Sequence, residues 1–178
     1  MTNIRVIVHG ILGKMGQEVL NAVTQAEGMD VIGGVDYYAT DDGIALPDSS
    51  TQIPLSRNIQ EILDNADVVV DFTNAEGATS VIDATTRGGV NAVIGSTGLS
   101  QESIDNANKL STTHGTGIII APNFAMGAVL MSYLVEKASR FFEYADLTEV
   151  HHEGKIDAPS GTALAIAQSA VDGRQRSF

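Results

Sequence analysis

Short apolar runs rich in β-branched residues alternate with longer amphipathic stretches along the chain. Ile4 to His9 is a β-branched run ending at Gly10, which predicts a buried strand. Lys14 to Glu27 places Met15, Val19, Leu20 and Val23 at helical spacing. Asp30 to Val35 predicts a second strand, and Asp41 to Thr51, with Gly43 and Pro47, a polar loop. A short helix is expected over Ile59 to Leu63. Asp67 to Phe72 reads as a fully buried strand, and Ala75 to Gly88 as a helix closed by a glycine pair. Asn91 to Ile94 and Ile118 to Ala121 predict two further strands, the last closed by Pro122. Between them Ser100 to His114 predicts a helix with Ser100 as its N-cap.

Strands and helices alternating at this spacing imply right-handed crossovers. The expected fold is α/β: a Rossmann-like parallel sheet with helices on both faces. After Pro122 the pattern changes. A long helix from about Met126 to Phe142 precedes a strand, Asp146 to His151, then a polar loop with Pro159 and Gly161 and a helix from about Thr162. We therefore expect a dinucleotide-binding domain over residues 1–124 and part of an α+β domain over 125–178. A lone strand has unpaired edges. It predicts a chain that is part of a longer protein or pairs with another copy.

Composition narrows the function classes. The 178 residues carry a formal net charge of −12, with a sequence pI of about 4.5. Such a chain repels phosphate backbones and anionic membrane surfaces, so neither nucleic acid nor membrane is an expected partner. An anionic small ligand would need local positive ends, meaning helix N-termini and a few Lys or His side chains. The absence of Cys excludes disulfides, zinc–thiolate sites and cysteine nucleophiles, and fits a cytoplasmic setting. The first residues lack a basic and apolar leader pattern, and no apolar stretch approaches a membrane span.

The candidate chemistry begins at Gly10, Gly13 and Gly16, a G-x-x-G-x-x-G arrangement between the first strand and the first helix. Gly10 would allow the tight turn, Gly13 a close approach of the backbone to a pyrophosphate, and Gly16 close packing of the helix. The helix N-terminus would offer N–H donors to the phosphates. Asp36 follows twenty positions after Gly16, at the end of the second strand, where an acid would bond the adenine-ribose hydroxyls and repel a 2′-phosphate. Tyr37 follows it, and the nearest basic residues along the chain are Arg5, Lys14 and Arg57. NADH is therefore expected ahead of NADPH. The competing readings are a plain tight turn at the glycines and a strand-end turn former at Asp36.

Three later strand ends carry small polar residues: Phe72-Thr73, Gly95-Ser96-Thr97-Gly98 and Ala121-Pro122-Asn123-Phe124. In open α/β sheets such ends face the ligand, although each could be a structural loop. Near the C-terminus, His151-His152-Glu153-Gly154-Lys155 precedes Asp157-Ala158-Pro159-Ser160-Gly161-Thr162. Lys155 could donate a proton to an enamine formed by hydride addition, with His151 positioning substrate or tuning the Lys. The turn at Ser160, Gly161 and Thr162 opens a helix whose N–H groups suit a carboxylate. Adjacent His residues make poor joint zinc ligands, and no metal is expected. A capped loop with exposed His is the plain alternative.

Taken in order, GILGKMG, Asp71-Phe72-Thr73, GSTG, APNF and HH-x-x-K-x-DAPSGTA resemble the dihydrodipicolinate reductase family, from Ile4 to about Ala170. The resemblance implies NADH- or NADPH-dependent reduction of 4-hydroxy-tetrahydrodipicolinate to tetrahydrodipicolinate, on the way to diaminopimelate and lysine, by a cytoplasmic homotetramer. It implies that His151 and Lys155 are the acid/base pair. His152, Ser160, Gly161 and Thr162 would bind the dicarboxylate. Gly10, Ile11, Leu12, Gly13, Lys14, Met15 and Asp36 would line the cofactor site. So would Phe72, Thr73, Gly95, Ser96 and Thr97, with Ala121, Pro122, Asn123 and Phe124. The sequence departs from the family pattern at Glu153 and Gly154, where a basic residue and a further His are common. It also departs at Lys14, usually Arg, and at His9, usually small. Family members extend beyond residue 178, which makes a catalytically incomplete nucleotide-binding paralogue or fragment the principal rival. A semialdehyde dehydrogenase is a second rival, but that class usually employs a Cys.

Overall fold

A computed structural model describes residues 2–48, 51–121, 123–151, 153–154 and 158–175. The chain divides into two compact units, Met1–Ala121 and Pro122–Phe178. The first unit is built on seven strands: β1 (Ile4–His9), β2 (Met29–Val35), β3 (Gly43–Ala45), β4 (Gln52–Ser56), β5 (Val68–Asp71), β6 (Asn91–Ile94) and β7 (Ile118–Ile120). Its helices are α1 (Lys14–Gln25), α2 (Ala75–Gly88) and α3 (Gln101–His114), with a 3-10 turn at Ile59–Glu61.

The sheet order is β3-β4-β2-β1-β5-β6-β7. Every pairing is parallel except that of β3 with β4. The order reverses between β1 and β5, so the crevice expected at a topological switch opens above those two strands.

Alternation along β1 explains why both faces must be covered. Val6 and Val8 join Ile11, Leu20, Val23 and Val31 in one apolar cluster. Ile7 points the other way, into a cluster with Val69, Val81, Ile82 and Ile94. Each such buried Val or Ile contributes on the order of 1.5–3 kcal/mol. The strand then ends at His9, at its carboxyl end.

The β3–β4 hairpin is a correction to the expected loop over 41–51. Its first strand has three residues, and Pro54 stands opposite Gly43 at the sheet edge. A proline inside an apolar run normally argues against a strand, but an edge strand tolerates the missing donor. The expected helix over Ile59 to Leu63 shrinks to the 3-10 turn, capped by Asn58, whose side chain accepts from the Gln60 N–H.

The second unit contains α4 (Met126–Ser139) and α5 (Gly161–Arg174). Their backbones pack closely at Gly173, where a Cβ would overlap the Glu136 carbonyl oxygen. The strand expected over Asp146 to His151 is not formed. A strand needs a neighbour for its ladder, and the described residues of this unit supply none.

Candidate functional site

A cleft of about 720 Å3 lies within the first unit, lined on one side by Gly10, Leu12, Gly13, Asp36, Tyr37, Tyr38 and Arg57. His9, Phe72, Thr73, Asn74, Glu76, Gly77 and Ser80 line the other. The glycine turn is its entrance to α1. Gly10 has φ +80°, a conformation natural to glycine, and a Cβ there would crowd the Phe72 carbonyl oxygen at 2.9 Å. A Cβ on Gly16 would overlap the Gly10 carbonyl, so the third glycine closes the helix onto its own turn. Gly13 caps α1 without a side chain, and the N–H groups of Lys14, Met15 and Gly16 bond no acceptor among the described residues. Unspent donors at a helix start, beside a backbone that only glycine permits, fit a pyrophosphate.

Asp36 is buried beneath this turn. One carboxylate oxygen accepts the Leu12 N–H at 2.9 Å and the other the Tyr38 N–H at 3.0 Å. The acid therefore clamps the turn, as the turn-former reading expected, and it also lines the cleft. Tyr37 and Tyr38 stand exposed beside it, edge to face at 5.3 Å. Arg57, distant along the chain, joins them because β4 runs beside β2. Its Nε donates to the Ala39 carbonyl at 2.8 Å. No local sequence signal announces this arginine; only the sheet order does.

The other side of the cleft rests on Asp71, whose side chain is 0% exposed. Its oxygens accept from His9 Nδ1 at 2.6 Å, Thr73 Oγ1 at 2.7 Å and Ser96 Oγ at 2.5 Å. Ser96 Oγ in turn accepts the Thr73 N–H at 2.8 Å. Three strand ends are thereby held by one carboxylate. From sequence, Asp71 entered only inside a family motif and His9 only as a departure from it, and neither was given a role; an acid and a His ending two predicted strands were the available signal.

The expected cofactor residues are placed unequally. Gly10, Leu12, Gly13, Asp36, Phe72 and Thr73 line the cleft. Ile11 turns into the core at 0% exposure, its N–H donating to Val35 and its carbonyl accepting from Gln17. Lys14 and Met15 are exposed on the first turn of α1, and Thr97 is exposed after β6. Gly95 lies under the Phe72 ring, which a Cβ would overlap. Ser96 is buried in the Asp71 network. Ala121 ends the first unit, bonding the Ile94 carbonyl through its N–H. Pro122 lies outside the described residues.

The second unit gathers its polar residues at the start of α5. Ser160 is the N-cap, its Oγ accepting the Ala163 N–H at 3.1 Å. Glu149 accepts from the Ser160 N–H at 2.8 Å, from its hydroxyl at 2.5 Å, and from His151 Nε2 at 2.8 Å. The Ser160 hydroxyl first, and then His151, hold this carboxyl down at about 2. Asn123 Nδ2 donates to Thr162 Oγ1 at 2.9 Å, and Phe124 is half-exposed nearby in sequence. The N–H groups of Gly161 and Thr162 have no acceptor among the described residues. His152 and Lys155 lie outside the described residues.

Known proteins resemble the chain across both units. Residues 4–124 match the family profile described as dihydrodipicolinate reductase, N-terminus, and residues 127–177 the profile for its C-terminus. A 4-hydroxy-tetrahydrodipicolinate reductase of Dehalococcoides mccartyi is 44% identical over all of this chain and 68% of its own length. That of Listeria welshimeri is 37% identical over 96% of this chain and 66% of its own. The solved dipicolinate-bound dihydrodipicolinate reductase from Paenisporosarcina sp. TG-14 superposes with a TM-score of 0.80. It is 32% identical, covering 97% of this chain and 67% of that one. With a glycine turn and acid in one unit, a capped Ser-Gly-Thr helix start in the other, and sequence matches spanning both, the chain belongs to the dihydrodipicolinate reductase family.

Proposed function

We propose that this chain reduces 4-hydroxy-tetrahydrodipicolinate to tetrahydrodipicolinate with a nicotinamide dinucleotide, a step toward diaminopimelate and lysine. The observation that carries the reading is the Glu149–Ser160 anchored start of α5, which presents unspent N–H groups in a family whose solved Paenisporosarcina member binds dipicolinate. A small dicarboxylate is the ligand class that such donors suit.

Residues 1–124 hold the cofactor and residues 125–178 begin the substrate domain. The bound nicotinamide supplies hydride. Asp36 accepts ribose hydroxyls, and the first turn of α1 receives the pyrophosphate on its free N–H groups. NADH is the preferred donor because Asp36 opposes a 2′-phosphate; Arg57, in the same cleft, is what lets NADPH serve as well. Gly161 and Thr162, with His152, hold a substrate carboxylate. The N–H groups of Gly161 and Thr162 have no acceptor among the described residues, which suits them to that role.

The 4-hydroxyl of the substrate leaves as water, hydride adds to the resulting unsaturated imine, and Lys155 protonates the enamine so formed. His151 is held by Glu149 through Nε2 and partners Lys155 in the acid/base pair. The protein works as a homotetramer in the cytoplasm.

The test is substrate-dependent loss of NADH absorbance. Parent protein should turn over, and Lys155→Ala should lose at least about a hundredfold in kcat. Full turnover by that variant would remove Lys155 from the step. NADH binding without any turnover by the parent would instead favour a nucleotide-binding paralogue.

A further inference from the structure

His9 ends β1 in register with Asp71 of β5, at the point where the strand order reverses. Its Nδ1 bonds a carboxylate that can only accept, so Nδ1 carries a proton. The other ring nitrogen is thereby set as the group available to a ligand. Nε2 has no partner among the described residues, and it is not sealed within the protein. The side chain is 15% exposed and lines the cleft. On its far side, a Cβ at Gly77 would lie 3.4 Å from the imidazole Cε1, so the first turn of α2 confines the ring. Packing alone would be met by an apolar residue. A ring that lines the cleft, anchored by one nitrogen on a fully buried acid and with the other unpartnered among the described residues, is a preset hydrogen-bonding group.

Its place in the sheet says what it would meet. Asp36 marks the adenosine end, above β2, and the glycine turn after β1 takes the pyrophosphate. The His9 side chain bonds Asp71 and so reaches to the β5 side of that turn. Beyond the pyrophosphate, the next polar group of a dinucleotide is its second ribose. We propose that His9 Nε2 accepts a hydrogen bond from a hydroxyl of that ribose, and so sets the nicotinamide half of the cofactor over β5. This rests on the dinucleotide reading given above.

The variant that isolates the claim is His9→Asn. An Asn amide can place a donor where Nδ1 stands, preserving the bond to Asp71, but it ends short of Nε2. Parent and variant are titrated with ADP, ADP-ribose and NADH, with melting temperatures measured alongside. ADP carries the pyrophosphate but no second ribose; ADP-ribose adds it. The expected result is ADP affinity within about twofold of the parent, with ADP-ribose and NADH weakened about five- to tenfold. Equal weakening of all three ligands, or of none, overturns the proposal. Should the variant not fold, the parent's imidazole 15N resonances decide. The His9 Nε2 signal is expected to shift with ADP-ribose and not with ADP, and an identical response to both overturns the claim. A parent that binds none of the three overturns the dinucleotide reading itself, whereas parent binding with an indifferent variant overturns only the role of His9.

Discussion

Glu149 accepts both the backbone N–H and the hydroxyl of Ser160, eleven positions later, and so fastens an extended segment to the start of α5. Its carboxyl titrates at about 2, below the ordinary 4.5, because Ser160 and His151 donate to the charged form. A group whose folded pKa is depressed stabilises the fold above its unfolded value and loses that contribution as pH falls toward the folded one. Glu149→Gln should therefore lower the melting temperature near neutral pH. The gap from the parent should narrow as pH drops below 4.5 and close toward 2. A gap independent of pH would show that shape, not charge, makes the link.

Gly16→Ala adds a methyl group where the Gly10 carbonyl already stands. Backbone cannot yield as a side chain tip can, so a loss of about 1–3 kcal/mol is expected by chemical denaturation. NADH affinity should fall with it, because the turn and the helix start must part. Gly28→Ala is the contrasting case. Nothing surrounds its Cβ position, and only its φ of +81° opposes the change.

Asp71→Asn replaces one acceptor oxygen with a donor facing His9, Thr73 or Ser96. A buried donor left facing a donor costs about 1–3 kcal/mol. The expected signature is a destabilised protein whose NADH binding weakens at the nicotinamide side, seen as a larger loss for ADP-ribose than for ADP.

Cofactor choice should follow Asp36 and Arg57 in opposite directions. Asp36→Ser removes the charge that repels a 2′-phosphate and should raise NADPH affinity about tenfold relative to NADH. Arg57→Ala removes a guanidinium held in place through the Ala39 carbonyl and should lower NADPH affinity more than that of NADH. Paired fluorescence titrations check both; parallel changes for the two cofactors would assign the selectivity elsewhere.

Short apolar runs and helical spacing carried most of the first unit, because β1, β5 and β6 lie inside the sheet and are rich in Val and Ile. Edge structure was harder. The β3–β4 hairpin is short, polar and proline-bearing, and its stability comes from β2 next to it. The expected strand before His151 failed for the converse reason, since a favourable local pattern does not supply a neighbouring strand. At the site, Gly10, Gly13 and Asp36 line the cleft as expected from their places in the pattern, the glycines because one turn sets their spacing and Asp36 because it follows β2 beside that turn. Arg57, His9 and Asp71 were not legible, because their partners lie on strands distant in sequence. Glu149 was missed because nothing in its own segment shows that it reaches Ser160.

The Asp71 knot has an engineering consequence. It ties the ends of β1, β5 and β6 together, while the β2 side of the cleft hangs on Asp36, Tyr38 and an arginine that follows β4. A chimera grafting residues 36–57 from a relative of different cofactor taste should exchange adenosine selectivity and leave the knot untouched. The two halves of the cleft can then be evolved as separate modules.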